Sequence, residues 1–280
     1  MKKIFKITFL LIFIVIGTYQ TSKITTRIQE NDSIMKQIKE NKNKFIIEAV
    51  DAEVNNNEII PGITGVEIDY KKSYNNMKKY GTYNESLTVL KDLFPKVSIE
   101  NRFDKYITKG NSNNRNVSLI FKLDKTENLE SLINLLNQKK VSVTFFIDGK
   151  LLESNINKIR NLKNHEVEIL NYNGEVEEVI LKTSFSYLET VTGKTAKYCY
   201  TEKEDISLLK ICAKEKIHTI KGTNIIDENL YKNIKNNLYN SAIYTINKYT
   251  IEELSSTIDY LKSKGYNIVT LECLLSEKVC

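Results

Sequence analysis

VSVTFFIDG, from Val141 to Gly149, is the stretch on which the fold turns. Its β-branched and aromatic residues read as a strand. Immediately before it, Asn128 to Lys139 sets Leu129, Leu132, Ile133, Leu135 and Leu136 on the apolar side of a helix. One step earlier, Val117 to Phe121 (VSLIF) reads as a strand of the buried type. The alternation continues downstream. Leu151 to Leu162 reads as helix, Glu166 to Leu170 as extended, and Val176 to Thr192 as a helix ending at Gly193. Lys197 to Tyr200 reads as strand, Ile206 to Lys216 as helix, and Ile217 to Ile220 and Ala242 to Ile246 as extended. Ile251 to Lys264 is a helix closed by Gly265, and Tyr266 to Leu271 the last strand. Strands alternating with helices predict parallel β-structure with helical crossovers. The unit count predicts an α/β protein, an irregular (β/α) barrel of about seven units, smaller than the eightfold barrel.

The chain before this region has a different character. Lys2, Lys3 and Lys6 precede the apolar run ITFLLIFIVIGTY, Ile7 to Tyr19. A basic start followed by an apolar run is an export signal. Residues 1–22 therefore read as a membrane anchor or a signal peptide, with everything after it outside the cytoplasm. Residues 23–56 are polar and charged, with Ile24, Ile28, Met35 and Ile38 at helical spacing, and read as a stalk. Residues 57–115 read as a small accessory region with a strand at Val66 to Tyr70 and a short helix at Ser73 to Lys79. Its apolar residues, Ile60, Ile63, Val66, Ile68, Leu87, Leu90 and Phe94, are expected to pack on the main domain, 116–280.

Composition narrows the function. The net charge of +6 comes from lysine, and the four arginines, Arg27, Arg102, Arg115 and Arg160, are scattered. Bidentate reading of phosphates or bases favours arginine clusters, so no nucleic-acid partner is expected. Cys199, Cys212, Cys273 and Cys280 show no C-x-x-C spacing, which argues against a zinc knuckle. They read as small apolar fillers plus one terminal thiol, with one structural disulfide left open.

Several words in the last region resemble the NodB-homology domain of carbohydrate esterase family 4, the polysaccharide deacetylases. The resemblance spans Asn116 to about Ser276. VSLIF looks like the family's first strand, VSVTFFIDG like its K-x-T-F-F-x-x-G, and Asn164-His165-Glu166-Val167 like its G-H-E-I. Val191-Thr192-Gly193-Lys194 and the closing IDYLKSKGYNIVTLECLL also match. The resemblance implies a metal held by one Asp and two His, a second Asp as base and a late His as acid.

None of those residues stands in its place. Lys122 occupies the base position and Leu123 that of the metal carboxylate, with Asp124 one step further along. Leu170 and Gly174 occupy the two metal-histidine positions, Tyr200 falls in the family's R-P-P-Y-G word, and Ile246 replaces the late His. The chain has two histidines, His165 and His218, where the reaction would use three, and both read as structural. A catalytic zinc needs three protein ligands and an open position. No metal and no other cofactor is therefore expected, and the family's hydrolase activity is expected to be lost. Asp148, Glu166, Glu168 and Asp205 could serve as paired carboxylates, and Ser184 and Ser186 lack a nucleophile elbow and a paired His. The reading is a degenerate, deacetylase-like envelope protein whose partner is a cell-wall glycan or an envelope protein, with the membrane reached through residues 1–22. The 16 tyrosines could stack on sugars. A divergent active N-deacetylase and a purely structural envelope or sporulation scaffold are the alternatives.

Overall fold

The structure, a computed structural model, describes residues 30–111, 114–125, 128–278 and 280. In chain order these form helix α1 (Ser33–Glu40), strands β1 (Glu53–Asn55), β2 (Glu58–Ile60) and β3 (Gly65–Ile68), helix α2 (Tyr70–Lys78), and strands β4 (Leu90–Leu93), β5 (Tyr106–Ile107) and β6 (Asn116–Leu123). Next come α3 (Leu129–Lys139), β7 (Thr144–Asp148), the short α4 (Gly149–Ser154) and α5 (Ile156–Arg160), β8 (Glu166–Asn171), α6 (Glu178–Thr192) and β9 (Tyr198–Thr201). The chain continues through α7 (Ile206–Lys214), β10 (His218–Lys221), β11 (Asn224–Ile226), α8 (Leu230–Asn236), β12 (Ile243–Ile246), α9 (Ile251–Ser263), β13 (Asn267–Ile268) and α10 (Leu271–Leu275). The described residues divide into two units, 30–49 with Thr64–Phe94 and Val50–Ile63 with 95–280.

In the smaller unit, the Asp32 side chain accepts from the Ile34 N–H and starts α1. Helix α1 buries Ile34, Met35 and Ile38 against Ile68 of β3 and Tyr74 and Met77 of α2. The Tyr74 hydroxyl donates to Asp32 at 3.1 Å. Residues 33–40, within the stretch read as a stalk, form a packed helix, because Met35 and Ile38 find an apolar partner face. Ile24, Ile28 and the expected anchor, residues 1–22, lie outside the described residues. Among the described residues no helix is long and apolar enough to cross a membrane.

The larger unit is α/β with parallel sheets. Strand β6 pairs in parallel with β7 on one side and β12 on the other, while β13 pairs with its first two residues. Strands β8 and β11 extend this sheet at its two ends. The second sheet runs β2, β5, β10, β9, all parallel, with β1 antiparallel on β2. The stretch 57–115 is accordingly divided: β2 and β5 join the larger unit, and β3 and β4 belong to the smaller. Two elements differ from their sequence reading. The last strand stops at Ile268, because the Thr270 hydroxyl accepts from the Cys273 N–H and starts α10. The helix read over 151–162 is broken at Asn155.

Side-chain alternation sorts each strand between two cores. Leu119, Phe121, Phe145 and Ile147 face an outer layer built with Leu132, Leu188, Ile258 and Leu261 of the helices. Ile120, Phe146, Tyr198, Tyr200, Ile220 and Ile243 face an inner layer with Leu271 and Leu274 of α10. The two sheets meet at β8 and β9, where no backbone ladder is formed among the described residues. There the buried Glu168 side chain of β8 accepts from the backbone N–H groups of Lys197, at 2.9 Å, and Tyr198, at 3.2 Å. Its neighbour on the same face, Glu166, accepts from the Thr144 hydroxyl at 2.6 Å and the Glu272 N–H at 3.2 Å.

The cysteines differ from their sequence reading as fillers with a terminal thiol. Cys199 of β9 is bonded to Cys212 of α7, and Cys273 of α10 to Cys280, with Cα atoms 6.5 and 5.4 Å apart. The first pair forms because α7 folds back over the strand that precedes it, a proximity that linear spacing does not carry. A cross-link closing a loop of this size is worth about 3 kcal/mol in the chain-entropy picture.

Burial, reinforced by the nearby Glu166 carboxyl, holds the Glu168 pKa well above its ordinary value, against the opposing pull of the Lys197 and Tyr198 N–H groups and the Lys197 charge. The folded chain therefore binds this proton more tightly than the unfolded chain, whose glutamates titrate near about 4.3. The group favours folding below the unfolded value, and that contribution is lost as pH rises through the folded value. Glu168→Gln keeps the accepting oxygen and removes the ionisation. The variant is expected to melt above the parent at pH values near about 8, with the gap closing as pH falls towards about 4. A gap of the same size at both ends of a calorimetric pH series contradicts this account.

Candidate functional site

The C-terminal ends of the parallel strands form the mouth of the inner core, where folds of this kind place their sites. Strand alternation decides which expected residues reach it. Lys122, two residues beyond the inner-facing Ile120, turns inward. It pairs with Glu202 of the loop after β9, and its ammonium lies 5.9 Å from the centre of the Tyr200 ring. The Tyr200 ring is tilted against Phe146, and its hydroxyl donates to the Thr245 hydroxyl at 3.0 Å, joining β9 to β12 across the inner core. Burial holds the Tyr200 phenol well above its ordinary pKa. Leu170, near the end of β8, packs against the same inner layer.

The other expected positions lie elsewhere. Leu123 and Ile246 face the outer layer among the helices. Gly174 sits in a turn at φ +82, its N–H donating to Asp148 at 3.3 Å, with open space where a Cβ would stand. The structure thus brings Lys122, Leu170 and Tyr200 to the inner core and leaves out Leu123, Gly174 and Ile246. Thr245, Phe146 and Gly222 belong to the mouth and are not singled out by sequence. The inward face of Ile243 gives Thr245 away by alternation, once the strand is placed.

The four carboxylates do not gather at the mouth. Asp148 caps α4 by accepting from the N–H groups of Lys150 and Leu151, and Asp205 caps α7 through the Leu208 N–H at 3.0 Å. Glu166 and Glu168 are committed to the backbone contacts described above. Ser184 and Ser186 donate back to Ile180 and Lys182 within their own helix. Glu166 and Glu168 share a face of β8, but both are engaged with backbone donors away from the mouth and offer no open catalytic pair. His165 is buried with its ring edge-on to Phe145, Nδ1 accepting from the Val143 N–H at 3.4 Å, and burial lowers its pKa.

A divalent metal of the kind the family holds does not fit these residues. The inward groups are an ammonium, a leucine and a tyrosine hydroxyl already engaged with Thr245. Among the described residues no three His, Cys, Asp or Glu side chains come together to hold an ion. The arrangement places an ion pair and a buried hydrogen bond at the mouth.

No family profile matches the chain. An uncharacterised protein of Bacillus subtilis, YlxY, is 25% identical over 241 residues, covering 78% of this chain and 75% of that protein. Among solved structures, a carbohydrate esterase family 4 pseudoenzyme from Bacillus anthracis superposes with a TM-score of 0.66 at 23% identity, covering 89% of this chain and 97% of that one. A mutant of that pseudoenzyme described as having restored enzymatic activity gives a TM-score of 0.67, at 23% identity and with coverage of 89% and 100%. A peptidoglycan N-acetylglucosamine deacetylase gives 0.56 at 19% identity, covering 62% of this chain and 94% of that one.

A methyl group at Gly222 would collide with the Tyr200 hydroxyl. Gly222→Ala is expected to break the Tyr200–Thr245 bond and cost about 1–3 kcal/mol of stability. The same change made in a Tyr200→Phe background should cost less. Equal costs in the two backgrounds, measured by urea unfolding, would mean that the hydroxyl does not fill this space.

Proposed function

Because this chain is built on the NodB-like fold of carbohydrate esterase family 4, we propose that it is a deacetylase-like protein of the cell envelope that has lost metal-dependent catalysis and acts by binding. In this reading the two parallel sheets are halves of an irregular (β/α) barrel of about seven units. The observation that carries it is the mouth. Lys122 with Glu202, and Tyr200 with Thr245, occupy the space where hydrolysis would need metal ligands and an open coordination position. An ammonium there repels a cation, and apolar Leu123 and Ile246 supply neither ligand nor proton. The partner is a cell-wall glycan or an envelope protein.

Residues 1–22 anchor the chain or export it, with the rest outside the cytoplasm, single-pass where the signal is retained. Two disulfides favour the same side, since such bonds persist in oxidising surroundings.

Two measurements test this. The full chain, purified and assayed by elemental analysis, is expected to carry no stoichiometric zinc and to release no acetate from chitooligosaccharide or peptidoglycan. It is expected to be retained on insoluble wall glycan or by an envelope-protein fraction. One zinc per chain together with acetate release ends the pseudoenzyme reading, and no retention by either material ends the binding reading. Separately, protease added to intact wall-stripped cells should digest the C-terminal region. Full protection there would place the domain on the inner side.

A further inference from the structure

A pocket of about 390 Å³ opens where β9 and β10 begin, at the opposite end of the strands from Lys122. Its wall is aromatic. Phe103 stacks on His218 with ring centroids 4.4 Å apart and planes 23° from parallel. Tyr198, paired with His218 across the two strands, adds a third ring at 6.4 Å. His218 is only 9% exposed, and its Nδ1 has no hydrogen-bond partner among the described residues. That atom is closed to solvent as well, so a ligand in the pocket would meet the ring through Nε2. The backbone of His218 is satisfied, its N–H donating to the Lys197 carbonyl at 3.0 Å, and nothing at the mouth uses the side chain.

The chemistry of this pocket narrows its ligand. Burial lowers the His218 pKa to about 4, so near neutral pH the imidazole is uncharged, with one donor and one acceptor nitrogen. Thr195 and Ser276 bring hydroxyls to the border. Two carboxylates, Glu100 and Glu272, are balanced there by two lysines, Lys197 and Lys216. A ligand rich in hydroxyls and without net charge suits such a border, and a ring with one flat apolar face suits the aromatic wall. The volume lies at the small end of ligand pockets, enough for one ring.

We propose that the pocket over His218 binds a single neutral pyranose ring, with Phe103 in the apolar wall and the His218 ring hydrogen-bonding a sugar hydroxyl. The site is separate from the mouth and stands whether or not the mouth is catalytically dead.

The probe is methyl N-acetyl-β-glucosaminide, titrated into the full chain carrying isotope-labelled histidine, lysine and threonine and followed by NMR. The His218 ring signals are expected to shift and saturate at millimolar sugar, while those of His165 stay in place. His218→Phe keeps an aromatic partner for Phe103 and removes the nitrogens. It should weaken binding by roughly tenfold, the loss of about one buried hydrogen bond, without lowering the melting temperature. Should that variant fail to fold, Phe103→Leu at its half-buried position carries the test and should weaken binding by a similar factor. His218 signals that never move, or variant affinities equal to the parent, overturn the proposal. So do saturating shifts at Lys122 and Thr245 with His218 unmoved, which would put the sugar at the mouth and leave the pseudoenzyme reading standing. A His218 response to the zwitterion D-alanine but not to the sugar overturns the assignment of ligand class.

Discussion

At the strand starts, the joint between the two sheets of the larger unit rests on one buried side chain. The two parallel sheets meet at β8 and β9, strands that share no backbone hydrogen bonds among the described residues. The Glu168 side chain spans that seam by accepting from two N–H groups at the start of β9. Without it two backbone donors in the interior would lie unpaired, each costing about 1–3 kcal/mol. Glu166 does related work one pleat away, tying β8 to Thr144 of β7 and to the first turn of α10. Glu277 plays the same part near the chain's end, accepting from the N–H groups of Gly62 and Ile99 and from the Ser98 hydroxyl. All three buried carboxyl groups, two of them candidates for chemistry in the sequence, are in this fold acceptors for backbone donors.

These contacts hold the sheets near the strand starts, and a second set holds them at the mouth. Tyr200 and Thr245 join the sheets there through side chains, as Lys122 and Glu202 do. A partly exposed ion pair contributes little stability, commonly under about 1 kcal/mol. It also sets an ammonium at the mouth, which repels a cation there.

Much of this architecture is legible in the amino-acid sequence, and the limits follow from the range over which each signal acts. The alternation of VSLIF, the Leu129 helix and VSVTFFIDG implies the parallel order of β6 and β7, because a buried strand followed by an amphipathic helix and a second strand has few other solutions. The helix stop at Gly193 is equally local, and the residue is left-handed at φ +74. Proximity between distant segments is not legible. The disulfide from Cys199 to Cys212, the joining of β2 and β5 to the β10 sheet, and the burial of Met35 and Ile38 against Tyr74 and Met77 all depend on such proximity. At the mouth, the substitutions Lys122 and Leu170 can be read from the motif, while the roles of Gly222 and Thr245 need the register of β12 against β6.

The pleat of β6 adds a constraint that motif comparison does not express. Lys122 and Leu123 are neighbours in sequence, yet one faces Tyr200 in the inner layer and the other faces the helices. On β12, Thr245 and Ile246 divide in the same way, with Phe121 opposite Ile246 in the register. A carboxylate at Leu123 or an imidazole at Ile246 would enter the outer layer, among leucines and phenylalanines that cannot solvate a charge. Regular pairing along these two strands and a full set of inward ligands are therefore competing demands. In this chain the aliphatic residues at both positions serve the packing of the outer core, and the mouth is left to Lys122, Tyr200 and Thr245.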